Sequence, residues 1–411
     1  MIIETHDIFP VVSPEFLDRI QNKTLFFDIE TTGFSPNTSH LYMIGASYYS
    51  DHAWKTIQWF DETGLPVGEQ ALLQAFSEFA GDFIYCISYN GTAFDFSYIE
   101  KKCTHYHLPN PLSHLQHMDL YKEIKSYGAA FDLPNLKQKS IEAFLGISRE
   151  DKYNGGQLIK VYKKYVQSHA EHEQKLLFIH NYEDIIGMIK LLPLLSYIDF
   201  FKGHFSVTNM QISDITTSNT QTVKALNAPV AKRCQSDIHK STINNPKNAF
   251  AQSTTTATDT SALQPECNNG PDFYLHLTLP GFIEIPITLR TNLCTLTLSA
   301  HEGHMYIHTY DGTLKFYYPD YKQYYYLPEE DEAIHQSLAA FVDKSRRIKA
   351  TKETCYTKKN GIFLPEQSAW FTPVYKENTV SDISFFEYQS LTKDTDCINH
   401  YLLELLFPAF H

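Results

Sequence analysis

Asp28 and Glu30 are the first residues of this chain whose types and spacing could do chemistry. They lie in Thr24-Leu25-Phe26-Phe27-Asp28-Ile29-Glu30-Thr31-Thr32-Gly33, an apolar, β-prone run that stops at a Thr-Thr-Gly turn. That composition predicts a strand, and residues two apart on a strand project from one face. Two carboxylates held side by side repel each other, and burying them unpaired is costly. A divalent cation with oxygen ligands resolves the conflict. A solvated pair at a strand edge is the other resolution, so the weight falls on carboxylates further along the chain.

Two more groups follow. Asn90-Gly91-Thr92-Ala93-Phe94-Asp95 comes after an apolar run at 83–88 and places Asp95 where a helix would start. Asn90 both donates and accepts hydrogen bonds, which suits holding the end of a substrate; a plain Asn-Gly turn with Asp95 as a helix N-cap reads equally well. In Phe178-Ile179-His180-Asn181-Tyr182-Glu183-Asp184 the His and the Asp are four apart. On a helix they share a face, and Ile185, Met188, Ile189 and Leu192 turn much of that face inward. An inward His–Asp pair is either a structural pair or part of a metal and proton-transfer site.

The elements that must position these residues follow from periodicity. Beyond the Asp28 strand, residues 41–49 and 54–60 read as a hairpin, 69–80 as a helix, 83–88 as a strand and 96–103 as a helix. A short strand is expected near 117–120, and 133–195 is mainly helical with breaks at Gly146, Asn154-Gly155-Gly156 and Ser168. A short amphipathic piece at 14–20 precedes them. Hairpins first and then strands alternating with helices predict an α/β domain over 1–202 with a mixed sheet flanked by helices.

The net charge of −13 is unevenly spread: residues 1–100 carry 14 acidic and 3 basic side chains, residues 101–202 carry 11 and 14. An acidic half beside a mildly basic one fits metal ligands next to a phosphate-bearing substrate, and it also fits an ordinary solvated surface. Seven cysteines occur without a Cys-x-x-Cys pair, against both a disulfide framework and a structural zinc site. With neither a signal peptide nor a long apolar span in view, a cytoplasmic protein is expected, with no membrane partner.

Asp28-x-Glu30, Asn90-x3-Phe94-Asp95 and His180-x3-Asp184, in this order and on these element types, resemble the four-carboxylate (DEDD, DnaQ-like) exonuclease superfamily with the ribonuclease H-like fold. More narrowly, His117-Met118-Asp119-Leu120, the stretch 136–142, Leu145-Gly146-Ile147-Ser148-Arg149 and His180-Asn181-x-x-Asp184 resemble a bacterial ribonuclease H-like domain of the YprB type. The resemblance covers roughly residues 22–200. It implies a nuclease that hydrolyses phosphodiester bonds of DNA or RNA, working 3′ to 5′ on a single-stranded end. Asp28, Glu30, Asp95 and Asp184 match the carboxylates that hold two Mg²⁺ or Mn²⁺ ions. Thr31 and Thr32 would meet the 3′ terminus with their backbone, and Asn90 would help hold the substrate. Phe34 falls where a relative stacks an apolar ring on the terminal base, a role that core packing would replace. His180 departs from the pattern: one branch of the superfamily has a His five before the last Asp, the other a Tyr four before. A His four before, with Tyr182 two before, would accept the proton of the attacking water.

Residues 203–270 turn Ser/Thr/Asn/Gln-rich, which predicts a flexible linker. Residues 271–411 return as a smaller, β-rich α+β unit of no assignable family, with expected strands at 273–279, 283–289, 293–298, 304–310 and 313–318 and an expected helix at 329–344. Lys344, Arg346, Arg347, Lys349, Lys352, Lys358 and Lys359 lie near a group of tyrosines, a mixture that suits single-stranded nucleic acid or a solvated surface over core tyrosines; a protein partner is the other expectation for this unit. Set against the enzyme is a binding module that keeps the fold without catalysis.

Overall fold

The computed structural model describes residues 1–8, 12, 13, 16, 17, 20, 23–212, 270–391 and 395–410. The expected amphipathic piece at 14–20 lies largely outside the described residues. Six strands form one mixed sheet: β1 (Ile2–Ile8), β2 (Thr24–Thr31), β3 (Leu41–Ser50), β4 (Ala53–Phe60), β5 (Tyr85–Ser88) and β6 (Gln116–Asp119), in the order β1-β4-β3-β2-β5-β6. The β1–β4, β4–β3 and β3–β2 pairs are antiparallel, while β2–β5 and β5–β6 are parallel. This is the mixed sheet that hairpins followed by βα units predict.

Strand β2 runs through the middle of that sheet and is covered on both faces, which explains its almost uninterrupted apolar sequence. Leu25, Phe27 and Ile29 join a core with Leu72 and Phe76 of α1 (Pro66–Ala80) and Tyr98 and Ile99 of α2 (Asp95–His105). The alternation then sends Asp28 and Glu30 to the opposite face. Two helices cover it: α5 (Gly155–Ser168) and α6 (Glu171–Lys190). Leu158, Tyr162, Leu177 and Phe178 pack there against Tyr42, Met43 and Phe60. Between these come α3 (Leu120–Lys125) and α4 (Gln138–Phe144), and α7 (Leu194–Phe201) follows α6.

By internal contacts the chain separates into two units: 1–209 with 275–305 and 392–411, and 210–274 with 306–391. This differs from the expected division at 202 and 271. In the expected linker, Ser206–Ile212 form β7, which pairs with β8 (Phe273–Arg290), itself paired with β9 (Cys294–Ile307); residues 213–269 lie outside the described residues. Each of β8 and β9 replaces two expected strands. Pro280-Gly281 reads as a turn, yet the alternation of buried and exposed residues runs straight through it. Gly281 is needed for close approach, since a Cβ there would sit 2.4 Å from Ser196 Oγ of α7. The Tyr197 hydroxyl donates to the Ile285 carbonyl at 2.6 Å. From α9 (Thr395–Phe410), Asn399 donates to the carbonyls of Gly203 and Phe205 at 2.7 and 2.8 Å, and Phe410 packs on Tyr127 and Phe201.

The second unit is built of short antiparallel sheets: β10 (Tyr310–Tyr317), β14 (Tyr356–Glu366) and β15 (Ser384–Glu387) in one, β12 (Glu332–His335), β11 (Tyr324–Leu327) and β13 (Ile348–Lys349) in another. The helix expected at 329–344 is absent among the described residues. Glu332–His335 instead pair with β11, and only the four-residue α8 (Gln336–Ala339) is helical. The acids expected to open that helix are used otherwise: Asp331 accepts from the hydroxyls of Tyr326 and Tyr356, and Glu332 lies in the strand paired with β11.

Candidate active site

The site is assembled where the C-terminal half of β2 meets the inward face of α6. Asp28 pairs across the sheet with Gly45 of β3. A Cβ on Gly45 would lie 2.0 Å from Asn181 Oδ1 and 2.1 Å from Ile185 Cδ1; only glycine lets α6 come this close. Asn181 uses the approach. Its amide donates to Asp28 Oδ2 at 3.1 Å and its Oδ1 accepts from Gln58 at 2.9 Å. One residue earlier on the helix, His180 Nε2 lies 3.4 Å from Glu30 Oε1 and 3.2 Å from Asp184 Oδ2. Asp95 opens α2, and its Oδ1 accepts from the Ile29 amide at 3.3 Å. A register shift between Glu30 and Thr31 ends the regular pairing, a bulge of the kind that re-aims a side chain beside a site.

Electrostatics show how closely these groups sit. Asp28's carboxyl is held well above the usual carboxylate range, by burial first and then by Asp184, Asp95 and Glu30, with Asn181 pulling the other way. Burial, opposed by His180 and reinforced by Asp184, pushes Glu30 from 4.5 up to about 7. Burial also lifts Asp95 from 3.8 to about 7, against the pull of amides including Ile29's and with help from Asp119 and Asp184. All of these raise the cost of ionisation, and one of the remedies is a cation. Glu30, His180 and Asp184 place one ligand atom each within 4.8 Å of one another. Oxygen-rich donors under mutual repulsion therefore fit a hard divalent ion.

A family model described as RNase_H superfamily matches residues 25–196. This segment has the ribonuclease H-like fold. Solved structures that resemble the chain include a family B DNA polymerase from the hyperthermophilic archaeon Pyrobaculum calidifontis, at 14% identity and a TM-score of 0.36, covering 44% of this chain and 25% of that one. An exonuclease I without ligand gives 14% identity and a TM-score of 0.31, covering 45% of each chain. E. coli exonuclease I in complex with a dT13 oligonucleotide gives 14% and 0.30, covering 45% of this chain and 44% of that one. The chain thus spans less than half the length of these proteins. No curated protein matches it.

Within the ribonuclease H-like domain the remaining expected residues sit at the rim. Phe34 is 92% exposed, so core packing is not its role; its ring meets Phe94 edge-on at 6.1 Å. The Thr31 hydroxyl donates to the Gly33 carbonyl at 2.8 Å, and the Thr32 amide is already committed to the His40 carbonyl at 2.8 Å. Asn90 has a left-handed backbone, φ 63°, and its amide donates to Asp119 Oδ1 at 2.8 Å. Tyr182 faces away from the carboxylates, edge-on to His6.

Several residues near the carboxylates were not singled out as site residues from the sequence. Asp151 Oδ2 receives His180 Nδ1 at 2.6 Å and Lys139 Nζ at 3.0 Å. Although burial works against it, the Tyr153 amide, Lys139 and His180 keep Asp151 below its ordinary value. It is therefore an anion that fixes the proton of His180 on Nδ1 and leaves Nε2 facing Glu30 and Asp184. Arg149, nearly buried, bonds Asp184 Oδ1 through Nη1 and clasps Glu142 through Nε and Nη2. Asp119 also receives the Thr92 amide at 3.1 Å, so it organises the turn that delivers Asp95. The stretches 117–120 and 145–149 carry Asp119 and Arg149 and were visible as motif pieces, but their partners lie far away in the chain.

Proposed function

We propose that this protein is a metal-dependent nuclease that hydrolyses phosphodiester bonds of nucleic acid, working 3′ to 5′ from a single-stranded end. The observation that supports it is the mutual repulsion among Asp28, Glu30, Asp95 and Asp184, with His180 set against Glu30 and Asp184. Those four would hold two divalent cations, Mg²⁺ or Mn²⁺. When bound, such ions supply an acidified water and neutralise charge building on the phosphate oxygens. His180 accepts the proton of the attacking water at Nε2, while Asp151 holds Nδ1–H and stabilises the imidazolium that forms. Asn181 orients Asp28, and Gly45 gives α6 room to do so. Phe34, exposed beside Phe94, offers a face to the terminal base. Because the Thr32 amide is engaged, a 3′ hydroxyl would donate to a carbonyl of the Thr31–Thr32 turn. Asn90 would hold the next part of the strand.

In the second unit, Arg347 and Lys349 lie over the Tyr325 ring at 5.0 and 4.4 Å, a cationic aromatic surface suited to a single strand or to an acidic protein segment. One observation favours a different class of function, a binding module without catalysis: Arg149 already occupies Asp184 Oδ1, where a cation would otherwise bind. Degradation of 5′-labelled single-stranded DNA and RNA with Mg²⁺ or Mn²⁺ separates the two. A ladder shortening from the 3′ end, blocked by circularising the strand, supports the enzyme. Retained binding without cleavage supports the module.

A further inference from the structure

The sheet β7-β8-β9 carries a second group of metal-ligating side chains. Glu302 and His304 are two apart on β9 and therefore share a face, and His276 stands on the neighbouring strand β8. Glu302 Oε2 is 3.4 Å from His304 Nε2 and 3.8 Å from His276 Nε2, and the three ligand atoms lie within 4.8 Å of one another. Tetrahedral bonds of ~2.0–2.2 Å put neighbouring ligand atoms roughly 3.3–3.5 Å apart, so a small side-chain rotation closes the set on one ion.

The proton arrangement points the same way. Thr208 Oγ1 of β7 lies 3.2 Å from the His276 carbonyl and 2.8 Å from His276 Nδ1. A carbonyl only accepts, so the single hydroxyl proton goes to it, and Nδ1 must donate to the hydroxyl oxygen. That contact holds the His276 ring with Nε2 toward Glu302 Oε2. The Thr208 contact is the outer-shell bond that metal-binding histidines regularly make through their other nitrogen.

We propose that His276, Glu302 and His304 form a metal site separate from the carboxylates of the ribonuclease H-like domain, selective for a transition cation of the Zn²⁺ class. Two imidazoles and one carboxylate suit Zn²⁺, Ni²⁺ or Cu²⁺ over Mg²⁺ or Ca²⁺. All three side chains are partly exposed, so the ion keeps solvent ligands and exchanges freely. Bound there, it joins β8 to β9 and, through Thr208, holds β7.

The test is calorimetric titration of the full-length protein with ZnCl₂ in excess Mg²⁺, which occupies the carboxylates. The parent should take up one equivalent more than the His276→Gln/His304→Gln double variant. Thr208→Ala, which leaves all three ligands in place, should weaken that equivalent roughly 10–100-fold. Glu30→Gln, outside the group, should leave it unchanged. Equal stoichiometry and affinity in the parent and the double variant would overturn the proposal, as would loss of this equivalent in Glu30→Gln.

Discussion

Raising the pH of the metal-free protein should destabilise the ribonuclease H-like domain, and Glu30→Gln should remove part of that loss. Glu30 rises from 4.5 to about 7 on folding and Asp95 from 3.8 to about 7. Between those values the folded chain still holds protons that the unfolded chain has released. The stability these two groups contribute is therefore fullest below about pH 4, is lost as the pH rises toward about 7, and changes little above it. At about 1.4 kcal/mol per unit, the rise of Glu30 alone corresponds to roughly 3 kcal/mol. For a unit of this size that is about 6–12 °C in melting midpoint. Asp95 adds less than its own full share, because both groups answer to the same neighbour, Asp184. The assay is thermal melting in EDTA from about pH 5 to about pH 8, repeated with Mg²⁺, for the parent, Glu30→Gln and Asp95→Asn. Each variant should flatten the slope, and saturating Mg²⁺ should flatten it in the parent by taking over from the protons. Parental slopes in both variants, or a parent indifferent to pH, would refute the reasoning.

His180→Ala should lower kcat on the order of 10²–10⁴-fold while Mn²⁺ binding, followed by calorimetry, persists; a near-parental kcat from pH 6 to 9 would make the His structural. Asp151→Asn should reproduce part of that loss without touching a carboxylate ligand. A fragment ending at residue 202 should melt without cooperativity, because it lacks the partners of Tyr197 and Phe201 in 275–305 and 395–410; each such ring is worth about 1.5–3 kcal/mol of burial. A sharp transition for that fragment would show that α7 needs neither segment. Arg347→Gln with Lys349→Gln should reduce the salt slope of single-strand binding by about 1.4, at roughly 0.7 per phosphate contact. An unchanged slope would move the second unit from nucleic acid to a protein partner.

The parts of this molecule legible in its sequence are those written at short range. Alternation along 24–31 put Asp28 and Glu30 on one face, and spacing along α6 put His180 with Asp184; the structure brings those two faces together. Asp151, Arg149 and Glu142 were not legible as site residues. Asp151 and Arg149 lie in the connection between α4 and α5, and the separations are long: 29 residues from Asp151 to His180 and 35 from Arg149 to Asp184. No local pattern encodes such a meeting. The same holds for Gly281 against Ser196, which ties 275–305 to the first unit although composition changes sharply between them. At 329–344 the acidic run suggested a helix start, but residues 332–335 pair with Tyr324–Leu327 and Asp331 bonds to tyrosines instead.

The central claim is that Asp28 and its three partner carboxylates hold the ions that make this chain a nuclease. Asp28→Asn keeps the side chain's shape and removes the charge at the middle of the repelling group. Single-turnover hydrolysis of 5′-labelled single-stranded DNA and RNA, with Mg²⁺ or Mn²⁺, should disappear in this variant and in the parent treated with EDTA, while the metal-free variant melts above the metal-free parent. Undiminished hydrolysis by Asp28→Asn, or full parental activity in EDTA, would contradict the account.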